Sequence, residues 1–325
     1  MAYTKMSEKI QHSIKIPNEL GNKRFDQIAA ILFPDFSRAR LKTWIMDGQL
    51  LVDGKQFKPR EKLVGGEMLV LDVTLQAEGE WLPEKMDLEI IFEDDHIIII
   101  NKPMGMVVHP GAGNNDGTLL NGLLHHCPSL QHVPRAGIVH RLDKDTTGLM
   151  VVAKTLQAQH HIVEQLQSRE MGREYEAIVQ GAMTGGGTVT EPITRHDKDR
   201  TKMAVHPTGK EAITHYRVLE RFPTHTHIRV KLETGRTHQI RVHMSHLSHP
   251  LVGDGTYGGR VRLPKGVSHE LRDVLRQFPR QALHAKHIEL YHPATDEIVE
   301  WEIELPDDFK GLLVELKLDA EHAED

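Results

Sequence analysis

The sequence predicts an α+β protein built from two units. Three observations point there. At 325 residues the chain exceeds the usual span of one domain. A short N-terminal stretch carries two amphipathic helical periods. The remainder sets β-branched, strand-like runs such as Ile97-Ile-Ile-Ile100 and Leu149-Met-Val-Val-Ala153 among isolated helical segments. An apolar content of 39% with 26% charged residues is that of an ordinary globular protein. No run approaches the roughly 18 apolar residues of a membrane span, and Met1 to Gln11 is too polar for a signal peptide. Cys127 is the single cysteine, which excludes an internal disulfide and fits a reducing cytoplasm.

From Asn22 to Leu71 the chain reads as a small, self-contained unit. Arg24-Phe-Asp-Gln-Ile-Ala-Ala-Ile-Leu32 sets Phe25, Ile28, Ala29 and Leu32 at helical spacing, and Pro34 closes the helix. Ser37 caps a second helix, Arg38 to Met46, with Leu41, Trp44 and Ile45 inward and Arg38, Arg40 and Lys42 outward; Gly48 ends it. Leu50-Leu-Val-Asp-Gly-Lys55 is a strand turning at Asp53-Gly54, and Met68-Leu-Val-Leu71 is a further short strand. This pattern is similar to the S4 RNA-binding domain, a helix pair and hairpin that present basic side chains to structured RNA. The resemblance implies RNA contacts at Arg24, Arg38, Arg40 and Lys42. Between Lys23 and Lys62 nine basic residues face five acidic ones, a balance suited to phosphates rather than base edges. The expected division is an S4-like domain over residues 1–75, a linker over 76–88, where periodicity yields to charge, Gly and Pro, and a catalytic domain over 89–325.

The second unit opens with Leu88 to Pro103, read as two buried strands around an acidic turn. Pro103 stops the second strand and fixes the loop after it, so Lys102 and Pro103 are structural. Leu119 to His126 forms a short helix, with Pro128 just beyond. Then comes Gly137-Ile-Val-His-Arg-Leu-Asp-Lys-Asp-Thr-Thr-Gly148, where an apolar run breaks into a turn holding Arg141, Asp143, Lys144 and Asp145 and resumes as Leu149 to Ala153. A charged loop on a rigid sheet is a usual place for chemistry, although a solvated hairpin shows the same pattern. A helix follows from about Thr155 to Arg169, with Ile162, Val163 and Leu166 on its apolar face, and then a strand over Arg173-Glu-Tyr-Glu-Ala-Ile-Val179. Gly185-Gly-Gly187 is a flexible turn, and Arg195 to Lys202 is a basic loop suited to phosphate. In Leu232-Glu-Thr-Gly-Arg-Thr-His-Gln-Ile-Arg-Val-His-Met244, Gly235 allows a tight turn and Thr237 is placed to cap a helix with Ile240, Met244 and Leu247 on one face. The tail after Phe309 is acidic and matches no motif.

Several of these segments together resemble the RluA family of RNA pseudouridine synthases. They are His140-Arg-Leu-Asp143 with Thr147-Gly148; Asn101-Lys-Pro103 with Gly105 and His109-Pro-Gly111; Gly235-Arg-Thr-His-Gln-Ile-Arg241; His249-Pro-Leu-Val-Gly-Asp-Gly-Thr-Tyr-Gly258; and Leu283-His-Ala285. The likeness covers essentially the whole chain. It implies a catalytic domain with a mixed, largely antiparallel sheet, in which Asp143 is the catalytic carboxylate, Arg241 its cationic partner and Tyr175 the active-site tyrosine. It further implies that Arg141 enters the space left by a flipped uridine, that Leu142 packs behind the loop, that Arg236 and His238 meet RNA, and that Leu283 supports the site. The implied partner is large-subunit ribosomal RNA or the ribosomal subunit particle, met by a cytoplasmic monomer with no membrane contact.

A formal charge of −6 sits oddly with RNA until its distribution is seen. Residues 67–95 carry −9 and residues 296–325 carry −10, leaving +13 on the remainder. Turning uridine into pseudouridine gains no electrons or atoms, so no redox cofactor, nucleotide or metal is required. Histidines 238, 243, 246 and 249 invite a metal, yet they do not share one helical face and no matched Cys/His set exists. Three other readings stand beside the first: a sister site choice on the same RNA, a non-catalytic ribosome assembly factor using the S4 surface, and a histidine metallohydrolase.

Overall fold

The structure, a computed structural model, describes residues 8–75, 81–111, 113–259 and 266–324. The first unit comprises β1 (Glu8–Lys15), α1 (Phe25–Leu32), α2 (Arg38–Met46), β2 (Leu50–Val52) and β3 (Met68–Leu75). Both β1 and β2 pair antiparallel with β3. The expected packing of the helices holds: Phe25, Ile28 and Ala29 are buried on one, and Leu41, Trp44 and Ile45 on the other. Ser37 Oγ accepts the Arg40 amide at 3.3 Å. Asp53 and Gly54 turn with φ of 49° and 74°, as a tight hairpin requires. β1 was not legible in the sequence. Its apolar positions, Ile10 and Ile14, are only half-buried, so it reads as a polar terminus.

The second unit contains β4 (Glu89–Glu93), β5 (Ile97–Lys102), α3 (Leu119–His126), β6 (Thr147–Ala153), α4 (Leu156–Ser168), β7 (Gly172–Gln180), β8 (Gly187–Val189), β9 (Ile193–Arg195), β10 (Met203–Val205), β11 (Thr214–Arg221), β12 (His225–Leu232), α5 (Gln239–His246), α6 (His269–Gln277), β13 (Leu283–Tyr291), β14 (Ile298–Glu302) and α7 (Asp307–Glu324). One sheet runs β4-β5-β6-β13-β7-β12-β11-β8, with β14 on β13. Among the described residues only β6 and β13 pair in parallel, so the sheet is mixed and largely antiparallel, as expected. β5, β6 and β7 are buried on both faces, which makes the middle of the sheet a stiff platform.

Two local expectations need correction, and part of the expected linker is packed. β4 is an exposed edge strand rather than a buried one, because it ends the sheet, with β5 its one strand partner among the described residues. Gly187 is not free turn but the first residue of β8, paired with Tyr216. Residues 81–88 are packed: Trp81 meets His109 edge-on at 5.0 Å, Asn121 Nδ2 donates to the Leu82 carbonyl at 2.8 Å, and the Glu84 amide donates to the Asn121 carbonyl at 2.9 Å. Residues 76–80 of the expected linker lie outside the described residues.

Candidate active site

The loop between Ile138 and Thr147 is held from below by buried groups. Lys102, 1% exposed, stops β5 and sends its ammonium into the loop, donating to the carbonyls of Pro103 at 2.9 Å, Met106 at 3.0 Å and Lys144 at 2.8 Å. Burial lowers its pKa to about 8, against the opposing pull of Asp145 and Asp143. His140 Nε2 accepts the Val151 amide at 3.0 Å, and burial drives that ring's pKa down to about 3, so it stays neutral. From the segment leading into β13, Gln281 Nε2 donates to Thr146 Oγ1 at 3.0 Å, and from β13 itself His284 Nδ1 meets Thr147 Oγ1 at 2.8 Å. Arg280 Nη1 reaches the carbonyls of Gln281 at 3.2 Å and Leu283 at 3.1 Å, while its other edge forks onto Asp308 of α7 at 2.6 and 2.9 Å. Leu142 is buried, and Leu283 is the first residue of β13.

Asp143 stands on this support with its side chain 14% exposed. Arg241 Nη1 donates to Asp143 Oδ2 at 2.9 Å. The remaining edge of that guanidinium is taken by Asp254: Nε to Oδ2 at 2.7 Å and Nη2 to Oδ1 at 2.9 Å. Burial alone would lower the Arg241 pKa, but Asp254 and then Asp143 raise it above its ordinary value. Arg241 also lies over the Tyr257 ring, 5.1 Å from its centre. The helix that presents it starts differently from the sequence expectation. Thr237 does not cap α5; His238 holds the cap position with φ of 56°, and the Gln239 side chain secures the turn by accepting from Arg236 N at 2.9 Å and Thr234 Oγ1 at 2.8 Å. That strained turn aims His238 inward. Its Nδ1 bonds the Tyr257 hydroxyl at 2.7 Å and its Nε2 lies 3.8 Å from Asp143 Oδ1; burial lowers its pKa.

Tyr175 lies in β7 between Val230 of β12 and Ala285 of β13, buried, with its pKa raised first by burial and further by Asp143, against Arg173. Arg141 is exposed on the same loop as Asp143. Arg236 is half-buried and donates Nε to the Glu211 carbonyl at 2.8 Å. In the first unit Arg24, Arg38 and Lys42 line one cavity of about 320 Å³ with Asp26, to which Arg24 is paired; Arg40 lies 5.9 Å from the Trp44 ring centre. The structure therefore brings Asp143, Arg241, Tyr175 and His238 together and gathers the S4-like basic residues separately. Asp254, Tyr257 and Arg280 were missed. The Gly253-Asp254-Gly255 turn was the available signal for the first. His243 and His249 are spent on hydrogen bonds to Thr214, Glu191 and Gln180, and among the described residues no three metal-binding side chains converge. A rigidly mounted carboxylate, charge-paired on one oxygen and flanked by a buried phenol, suits attack on carbon or removal of a proton in a water-poor site.

Comparison with known proteins shows the family. The family model described as RNA pseudouridylate synthase matches residues 96–246. "Ribosomal large subunit pseudouridine synthase D" of Pseudomonas aeruginosa is 60% identical over 97% of this chain and 99% of its own length. The protein of the same name from Escherichia coli K12 is 55% identical, with 98% of each chain covered. A solved structure titled "Human RNA Pseudouridylate Synthase Domain Containing 4" is 28% identical, covers 70% of this chain and 93% of its own, and superposes with a TM-score of 0.55. The chain belongs to the RNA pseudouridylate synthase family, as its resemblance to the RluA branch implied.

Proposed function

We propose that this protein isomerises uridine to pseudouridine in a stem-loop of large-subunit ribosomal RNA, through Asp143 and without a cofactor. The observation that carries the reading is the 2.9 Å bond from Arg241 Nη1 to Asp143 Oδ2 on a loop tied down from behind. Near-full-length relatives whose names place them on the large ribosomal subunit support the choice of RNA. The reaction breaks N1–C1′, turns the base and rejoins it through C5, while one proton leaves C5 and one arrives at N1. Asp143 attacks C1′ or takes a sugar proton, and Arg241 keeps its carboxylate aimed and paired. Tyr175 stacks on the uracil and assists proton transfer at C5; because its raised pKa keeps the phenol protonated at neutral pH, it takes the departing C5 proton only by passing its own hydroxyl proton on in the same step. The uridine must first leave its stack. Arg141 fills the space, with Leu142 behind it.

In this reading the S4-like domain, residues 1–75, is joined by the linker 76–88 to the catalytic domain, 89–325. Arg24, Arg38, Arg40 and Lys42 position the RNA through its phosphates, with Arg236 and His238 nearer the reacting nucleotide. The substrate is the ribosomal RNA or the subunit particle, and the protein works as a cytoplasmic monomer. Among the described residues no helix is long and apolar enough to cross a membrane. The test is tritium release from C5-labelled uridine in large-subunit RNA and in immature subunits, for wild type and Asp143→Ala, with and without EDTA. Release by wild type alone, indifferent to EDTA, is expected. Release by Asp143→Ala sinks the assignment of Asp143, and no release by either sinks the reaction.

A further inference from the structure

Asp254 is the most completely bonded carboxylate of the site, with a side chain 1% exposed. Its Oδ2 accepts from Arg241 Nε at 2.7 Å. Its Oδ1 accepts from Arg241 Nη2 at 2.9 Å and from the amides of Thr256 and Tyr257 at 3.0 Å each. A two-point bond of this kind fixes both the plane and the rotation of a guanidinium. Held in that orientation, the guanidinium meets Asp143 through Nη1, which bonds Oδ2 alone. The turn closed by Asp254 Oδ1 also carries Tyr257, whose hydroxyl accepts the Met203 amide at 2.8 Å and bonds His238 Nδ1 at 2.7 Å. Both groups that face the Asp143 carboxylate, Arg241 and His238, are thus set by one buried acid.

Without that acid the fork of Arg241 has a single carboxylate to satisfy. Its favoured geometry would be two-point on Asp143 itself, engaging both oxygens. We infer that Asp254 is a positioning residue which, by binding Nε and Nη2 and so fixing the orientation of Arg241, keeps Asp143 Oδ1 unengaged by the guanidinium and open to the substrate. The inference rests on the reading of Asp143 as the reacting carboxylate and adds the device that leaves one of its oxygens available.

Asp254→Asn separates this role from simple turn closure. The amide oxygen still accepts from Thr256 and Tyr257, but the NH2 group cannot accept from Arg241. Single-turnover tritium release is expected to fall on the order of 100-fold, with RNA affinity changed less than about threefold. In an Arg241→Met background the same change should cost less than about twofold, because nothing remains to position. A wild-type rate in Asp254→Asn, or an equal loss in both backgrounds, overturns the inference. A thermal melt accompanies each variant; should Asp254→Asn not fold, Asp254→Glu, which keeps the charge and displaces it by one methylene, carries the same expectation at on the order of tenfold. Absence of release by wild type removes the proposed function and this inference together, whereas wild-type release with equal losses removes this inference alone.

Discussion

One buried ammonium holds the loop on which Asp143 stands. Lys102 fills its three N–H donors with three carbonyls, one of them Lys144 in the loop itself, and that is what makes a cation at 1% exposure tolerable. Lys102→Met strands three acceptors while relieving the cost of a buried charge, so a net loss of about 2–3 kcal/mol in urea unfolding is expected. Turnover should fall more than RNA affinity, because the loop shifts while the basic residues of the first unit do not. With a pKa lowered to about 8 by burial, the wild-type amine loses a proton, and one carbonyl loses its donor, as pH rises past that value. The single-turnover rate of wild type should decline there, and the slower variant should lack that limb. A variant within about 0.5 kcal/mol of wild type would show that the loop needs no such support.

At the scale of elements, the loop depends on β6 and β13 lying side by side in parallel, His284 against Thr147 and Ala285 against Gly148. Gly148 makes that approach possible: its φ is 117°, and a Cβ there would stand 2.2 Å from the Ala285 carbonyl oxygen. Gly148→Ala should therefore pry the pair apart and cost about 3 kcal/mol or more, whereas Gly185→Ala, in open space, should be nearly neutral by the same unfolding measurement. Equal effects would deny the close approach. Helices and strands with dense apolar periods, such as α1, α2, β5 and β7, were legible because burial dictated their spacing. Asp143 and Arg241 were legible as candidates because they sit in motifs, and Tyr175 through the family resemblance. Their supports were not: Asp254 and Tyr257 lie within the His249 to Gly258 segment and Arg280 outside any motif, but all three act through contacts with residues distant in sequence, which no local period records. The acidic tail hid a helix for another reason. Phe309, Leu312 and Leu316 keep helical spacing and are buried near Leu271 and Leu275 of α6, but the charges between them dominated the reading. Arg280 then joins that helix, through Asp308, to the carbonyls beneath the Asp143 loop.

Across the whole molecule the histidines set how the fold answers to acid. Burial lowers His140 from 6.5 to about 3, and His225 and His284 from 6.5 to about 4; His238 and His243 move the same way. Between the unfolded and folded values, the unfolded chain binds protons that the native protein refuses. Stability must then fall as pH drops below about 6.5, and each such histidine contributes about 1.4 kcal/mol per pH unit until its folded pKa is reached. The window from pH 6.5 down to 5 isolates this effect, since the carboxylates whose pKa values are lowered, Asp72, Glu93, Asp94, Glu176, Asp199, Glu233 and Asp308, begin to exact their own loss only below it. Urea unfolding at intervals from pH 7 to 5 should give a steady loss of stability over the lower part of the range. His284→Gln, which removes one titrating ring while keeping a partner for Thr147, should reduce that slope by about one proton's worth. A stability that stays level from pH 7 to 5, or a slope unchanged in His284→Gln, would mean that these rings take up protons within the folded protein and that their burial does not exclude the charge.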